Sequence, residues 1–434
     1  MKKSICLVLA LMIVLGAVSY FLYTWKAPTP PDDEIEAEGD EEGGEEEVEL
    51  NYSDSVDWGK FRNKGISINV YNWGEYIAVD EGDGEFDTNT EFEKLTGINV
   101  VYSTFATNEE LYAKLKGGGT KYDIIIPSDY MISRMINEGM LEKLDLNNIP
   151  NVEYIDKTID SSYDPTGEYS VPYMWGVVGI IYNTKLVDEN DDFETWDILW
   201  DPKYMGSILM FSSPRDAFGI AEKKLGYSYN TEDPDELAAA AELLKEQKPL
   251  VQAYVADEVF DKMGGGEAAL AVYYAGDAIT MMGDNPDLAF AVPREGTNIY
   301  TDAMCIPKGA PNKEAAEMYI NFMCETKTAL ANVEYTCYST PHTEAYENLD
   351  EETQTSVSYP DDEVKAKGEV YRALSDQGSK LLDEYWTDIM SSGNSNPVTV
   401  IIFIAACVAA IVLINVYKHN KKKKIELEKV ESLH

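Results

Sequence analysis

A chain of 434 residues, 44% hydrophobic and 11% aromatic, has material for more than one compact unit. Its charge is lopsided: 35 Lys and Arg stand against 78 Asp and Glu, a formal net of −43. That excludes a nucleic-acid binder, which needs a basic surface, and fits a cationic partner, because an acidic field concentrates cations; the same charge also keeps an exposed domain soluble. Cys6 and Cys407 lie in apolar end segments, and Cys305, Cys324 and Cys337 have no metal-type spacing. They make no disulfide framework, although an oxidising compartment permits one pair to bridge. His342, His419 and His434 are too few and too scattered for a zinc site, so no metal or cofactor is expected.

Residues 1–27 hold Lys2 and Lys3 followed by an uncharged, largely apolar run over 4–25. Two readings stand. One is a signal peptide with the small residues Ala17 and Ser19 at its end; the other is an uncleaved anchor, since the run is long enough to span a bilayer. Both send the residues after the run out of the cytoplasm. Residues 28–64 read as a linker whose 32–49 stretch has twelve acidic residues and no basic one. Such a run repels itself and has nothing to bury, so disorder is expected. Without those twelve the net charge is still −31 (−43 plus 12).

From residue 66 apolar strands alternate with amphipathic helices. Strand patterns at 66–73, 98–103 and 122–127 alternate with helical patterns at 89–95, 108–116 and 129–140, stopped by Gly97, the glycines at 117–119 and Gly139. That order implies a mainly parallel sheet covered by helices. A second series comes after it. The 169–182 stretch reads as strand broken at Pro172, Gly176 and Gly179. Strands are expected at 207–211, 268–274, 288–292 and 303–306, and helices at 213–226, 234–246, 313–325 and 363–388. Residues 397–417 are 21 residues without a charge, followed by Lys418 and Lys421 to Lys424. This predicts a membrane span with the basic tail 418–434 on the cytoplasmic side, in contact with lipid. Two α/β series joined by interrupted strands predict an α/β fold of two lobes with a cleft. No dinucleotide, P-loop, nucleophile-elbow or HExxH motif is present, and no enzyme is expected.

Ligands of open α/β sheets bind beyond the carboxyl ends of strands. Trp73 and Tyr76 close the first strand, Ser128 and Tyr130 come after the third, and Asp216 opens a helix. Tyr274 and Asp277 end another strand, while Tyr300 and Asp302 enter the next. Aromatic faces and carboxylates, with only Arg215 as a nearby cation, suit an organic cation carrying an apolar chain. Each ammonium needs a carboxylate once desolvated, and aromatic faces attract the cation by about 0.5–2 kcal/mol. An anion would call for Arg, Lys or helix N-termini. Taken singly, Asp216 reads equally as an acid in a first helical turn and Asp277 as a turn acid.

The ordered set YNWGEY at 71–76, YDIIIPSDY at 122–130, VPYMWG at 171–176, AGD at 275–277 and YTD at 300–302 resembles the spermidine/putrescine-binding proteins of bacterial ABC importers over about residues 66–386. The resemblance implies a two-lobed periplasmic-binding-protein fold of type II, with 65–175 and 301–345 in lobe 1 and 176–300 and 346–390 in lobe 2. It implies aromatic and hydroxyl contacts from Trp73 and Tyr76 and polar contacts from Ser128 and Tyr130. Acids for the terminal amines would be Asp216 and Asp302. Ring walls would come from Tyr300, from Tyr274 where tryptophan is usual, and from Tyr338. Two departures leave the preferred chain length open: Ser213 replaces a second acid found in spermidine-type members, and Asp277 supplies an acid found in some members, putrescine binders included. Tyr371 falls near an expected glutamine contact. The expectation is a membrane-tethered polyamine-binding protein that hands its cargo to an ABC permease. The same fold with another small ligand, and a receptor signalling through a partner, are the alternatives.

Overall fold

The computed structural model describes residues 50–392, apart from 81, 83, 119 and 120. The apolar runs at 4–25 and 397–417, the acidic run at 32–49 and the basic tail lie outside the described residues. No described helix is long and apolar enough to cross a membrane.

The fold starts from alternation. In β1 (Ser67–Trp73), Ile68 and Val70 point into the core while Ser67 and Asn69 are partly exposed. The chain then turns into the helix Thr88–Thr96, capped by the Asp87 carboxylate accepting from the Thr90 N–H and stopped by Gly97 at φ 75°. It returns as β2 (Asn99–Phe105), forms the helix Asn108–Gly117 and enters β3 (Ile124–Ile125), both residues fully buried. β1 pairs in parallel with β2 and β3, as the βαβ pattern requires.

The centre departs from the mainly parallel expectation. β9 (Ile299–Cys305) pairs antiparallel with β3 and with β4 (Ser170–Asn183), and β4 pairs antiparallel with β7 (Leu270–Tyr274) and β8 (Leu288–Ala291). Beyond β7 the sheet is parallel again, through β5 (Ile208–Phe211) to β6 (Val251–Val255). The order is β2-β1-β3-β9-β4-β7-β5-β6, with β8 on β4. β4 serves both halves: Ser170 to Val177 face β9, and Val178 to Tyr182 face β7.

β4 is one 14-residue strand, not the broken stretch expected from Pro172, Gly176 and Gly179. A register shift between Pro172 and Met174 absorbs the missing N–H. The two glycines are there for space: a Cβ on Gly176 would lie 2.6 Å from the Tyr300 hydroxyl, and one on Gly179 would lie 2.3 Å from the Phe290 ring.

Two further expectations are corrected. Residues 50–64, assigned to the linker, are anchored to the body at two points, with Trp58 and Phe61 buried one helical turn apart and the Trp58 ring edge-on to Phe322 at 6.2 Å. The helix expected over 363–388 is two helices, Asp362–Lys367 and Asp376–Ser391. Between them Glu369 bridges to Asn298, because Gly368 packs where a Cβ would meet Ile299 at 2.3 Å. Cys305, Cys324 and Cys337 are all free.

Candidate functional site

Strand tips and helix starts converge on one cleft of about 560 Å³, mouth included, and all ten residues singled out from the sequence line it: Trp73, Tyr76, Ser128, Tyr130, Asp216, Tyr274, Asp277, Tyr300, Asp302 and Tyr338. One wall comes from the end of β1 and the start of the helix Asp129–Asn137, the other from the helix Pro214–Lys224 and the junction of β7 with the helix Ala275–Asp284. That last helix was not anticipated. It places Asp277 in a first turn, as Pro214–Lys224 does Asp216, where the macrodipole favours a carboxylate.

The rings form a wall of edge contacts. Tyr76 meets Tyr338 at 4.7 Å, Tyr338 meets Tyr300 at 6.4 Å, and Tyr300 meets Tyr274 at 5.1 Å. Their hydroxyls hold the carboxylates: Tyr76 donates to Asp302 at 2.8 Å and Tyr338 to Asp277 at 2.8 Å, with a looser contact from Tyr274 to Asp216 at 3.3 Å. Ser128 is fixed by Asn108, whose side-chain amide donates to its Oγ at 3.0 Å. Tyr130 donates to Glu109 at 2.9 Å.

No lysine or arginine lines the cleft. Arg215 sits behind it, its guanidinium 4.6 Å from the Tyr371 ring centre and 6.0 Å from that of Tyr130. Unneutralised carboxylates in a dry site resist ionisation. Burial pushes Asp277 up to about 8, with Asp257 and Glu75 adding repulsion against the Tyr338 hydrogen bond. Burial pushes Asp302 up to about 6 despite the Ser128 and Tyr76 hydroxyls, and it also raises Asp216. Oδ1 of Asp302 and the Trp73 indole N–H are buried without a hydrogen-bond partner. Among the described residues no His, Cys, Asp or Glu group is arranged to hold a metal.

Sequence reasoning missed Gly74, Asn108, Asp257, Tyr273 and Asn298, and it left Tyr371 outside the candidate set; all six line the cleft. Asp257 comes after β6, a strand not anticipated although its VQAYV run is β-branched and aromatic. Tyr371 reaches the cleft only because the 363–388 helix is interrupted.

This architecture and cleft define a two-lobed solute-binding protein. Residues 89–365 match the family model described as bacterial extracellular solute-binding protein. The spermidine/putrescine-binding periplasmic protein of Salmonella typhimurium is 36% identical over 323 residues, covering 74% of this chain and 90% of that one. A putative spermidine/putrescine ABC transporter structure from Listeria monocytogenes is 38% identical with a TM-score of 0.70, covering 75% of this chain and 98% of the other. The spermidine/putrescine ABC transporter substrate-binding protein PotD from Streptococcus pneumoniae is 39% identical with a TM-score of 0.63, covering 75% and 99%. The chain belongs to the bacterial extracellular solute-binding protein family.

Proposed function

We propose that this protein is the extracytoplasmic binding component of an ABC importer for polyamines, spermidine or putrescine among them. The observation that carries the reading is the cleft's chemistry: buried carboxylates between tyrosine rings with no basic side chain among them. Similarity to proteins whose names specify spermidine and putrescine supports the same ligand class. The ten sequence-derived residues are its ligand contacts. Asp302 and Asp216 bind ammonium groups, and the rings of Tyr76, Tyr274, Tyr300 and Tyr338 flank the methylene chain and attract the charge. The protein binds and releases its cargo and catalyses nothing.

Capture works by lobe closure. The lobes are 65–175 with 301–345 and 176–300 with 346–390, hinged where β4 passes from β9 to β7. On that division the Tyr338 to Asp277 hydrogen bond would link the two lobes. A cation that contacts both walls binds the closed state better than the open one, and only such a difference shifts the equilibrium. A permease would read the closed form.

The body is tethered to the membrane through the uncharged run 397–417, whose length and following lysines support a span with a cytoplasmic, lipid-touching tail. The apolar run near the N-terminus is a signal or a second anchor. Tethering holds the binder near its permease.

Calorimetric titration of the full chain in detergent with putrescine, spermidine and a neutral sugar tests this function. Saturable binding of a polyamine, lost in Asp302→Ala, and no heat from the sugar are expected. A folded protein that binds no polyamine at about a millimolar, a threshold near −4 kcal/mol, overturns it.

A further inference from the structure

Between the helices Asp362–Lys367 and Asp376–Ser391 the chain passes through 370–375 in neither helix nor strand. A row of side chains from one loop holds it. Ser228, Asn230 and Glu232 alternate along that loop, and each reaches the segment. The Ser228 hydroxyl donates to Glu369 at 2.6 Å, and Glu232 accepts from the Ser375 N–H at 2.9 Å. Asn230, half-buried between them, makes three bonds. Its amide donates to the Val370 carbonyl at 2.9 Å, while its Oδ1 accepts from the Arg372 N–H at 2.7 Å and from the Arg215 guanidinium at 3.1 Å. The same guanidinium nitrogen donates to the Arg372 carbonyl at 3.3 Å. Bonds to the backbone on both sides of residue 371 therefore meet at one side-chain amide.

The bracketed residue is Tyr371, which is buried and lines the cleft. The Arg215 guanidinium lies over its ring at 4.6 Å, and Tyr229 meets the ring edge-on at 5.3 Å. Its hydroxyl occupies the space that a Cβ on Gly219 would need. That hydroxyl donates to the Arg215 carbonyl at 3.2 Å and stands within reach of Asp216, whose ionised form it favours against the effect of burial. Asn230 is not among the residues that line the cleft. An irregular backbone loses entropy when it is fixed, and here side-chain hydrogen bonds, not a strand ladder, must offset that cost.

We propose that Asn230 is a positioning residue of the ligand site: without entering the cleft, it fixes the backbone on both sides of Tyr371 and so sets the tyrosine hydroxyl against Asp216. Freed from Asn230, the segment has no other side chain bonded to both 370 and 372, and the hydroxyl no longer keeps its place beside the carboxylate. This rests on the polyamine reading, in which Asp216 takes an ammonium group, and adds to it a residue that acts only through another.

The test is calorimetric titration of the full chain in detergent with spermidine. Asn230→Ala should bind about three- to tenfold more weakly than the parent, the range that one lost hydrogen bond gives. Tyr371→Phe, which removes the hydroxyl and keeps the ring, should weaken binding by a similar factor. The double variant decides between positioning and mere packing. In the Tyr371→Phe background, Asn230→Ala should change the affinity by less than about twofold, because the group it positions is gone. Asn230→Asp keeps the acceptor for Arg372 and Arg215 and should return the affinity to within about threefold of the parent. Unchanged affinity in Asn230→Ala, losses that multiply in the double variant, or no rescue by Asn230→Asp each overturns the assignment and leaves polyamine binding intact. Asn230→Ser carries the same comparison if the alanine variant does not fold. A folded parent that binds no spermidine overturns the underlying function instead.

Discussion

Two populations of carboxylate coexist in this acidic chain, and they differ in what surrounds them. On the surface, Glu138 accepts from the Tyr112 hydroxyl and pairs with Arg134 at 3.1 Å and Lys116 at 3.2 Å, which hold it down at about 2. Asp192 takes both arms of Arg294 at 2.8 Å and is likewise lowered. In the cleft, Asp302 and Asp277 have tyrosine hydroxyls for company and no cation, and both are raised. A net charge of −43 says nothing about this division. What separates the populations is neutralisation: the surface acids have found their cations in the chain, and the cleft acids have no lysine or arginine among the residues that line the cleft with them.

The strongest way to break this contrast is to remove a cleft charge. Asp302→Asn keeps the shape and one acceptor, yet it should weaken spermidine binding on the order of a hundredfold, since truncating a buried charge pair costs about 2–5 kcal/mol. The unliganded variant should meanwhile gain stability. A carboxyl whose pKa is raised on folding favours the fold while protonated, and that contribution is lost as pH rises from about 4 through about 6. Unliganded Asp302→Asn should therefore melt higher than the parent at pH 8, by roughly 1–3 kcal/mol, and about equally at pH 4. Thermal denaturation at the two pH values decides it. Weaker binding with no gain at pH 8 would show that Asp302 has its charge compensated within the chain.

Acid should act on binding in the same direction. The bound cation requires ionised carboxylates, and Asp277 at about 8 and Asp302 at about 6 are protonated in turn as pH falls. Affinity for spermidine should drop as pH falls from 8 to 6, by up to about tenfold per unit for each proton released on binding. Titrations in buffers of different ionisation enthalpy count those protons directly. Affinity that stays flat across the interval means the cleft acids are already ionised without ligand.

The site was more legible in the sequence than the frame that carries it. Trp73, Ser128 and Tyr274 sit where apolar runs end, and strand ends are visible in a pattern of period two. β4 was legible as strand but not as one unbroken strand, because its proline is excused by a register shift and its glycines by rings that arrive from β8 and β9. Such contacts between distant segments leave no local signature. Asp257 was overlooked, and Tyr371 left outside the candidate set, for the same reason: one depends on how close Gly74 allows the opposite wall to approach, the other on a helix interrupted at Gly368. The packing of 50–64 was readable in part, since Trp58 and Phe61 are an apolar pair one turn apart beside a run of acids. The charge of that run drew the boundary too late.

The surface population supplies the smallest effect and the control for the rest. Glu138→Gln removes a carboxylate of the same formal charge as Asp302, but one whose partners are partly exposed and can turn to water. Exposed ion pairs contribute about 0.2–1 kcal/mol, so the variant should lose no more than that at pH 7. The sign with pH is opposite to that of Asp302: a lowered carboxyl stabilises the fold above its ordinary pKa, and the contribution disappears as pH falls from about 4.5 through about 2. The parent and Glu138→Gln should therefore converge in acid, where Asp302→Asn also converges with the parent, and diverge in opposite directions at neutral pH. Spermidine affinity of Glu138→Gln should match the parent within about twofold, a difference near 0.4 kcal/mol. A larger loss would mean that the surface field itself holds the ligand, and the division between neutralised and waiting carboxylates would no longer account for where it binds.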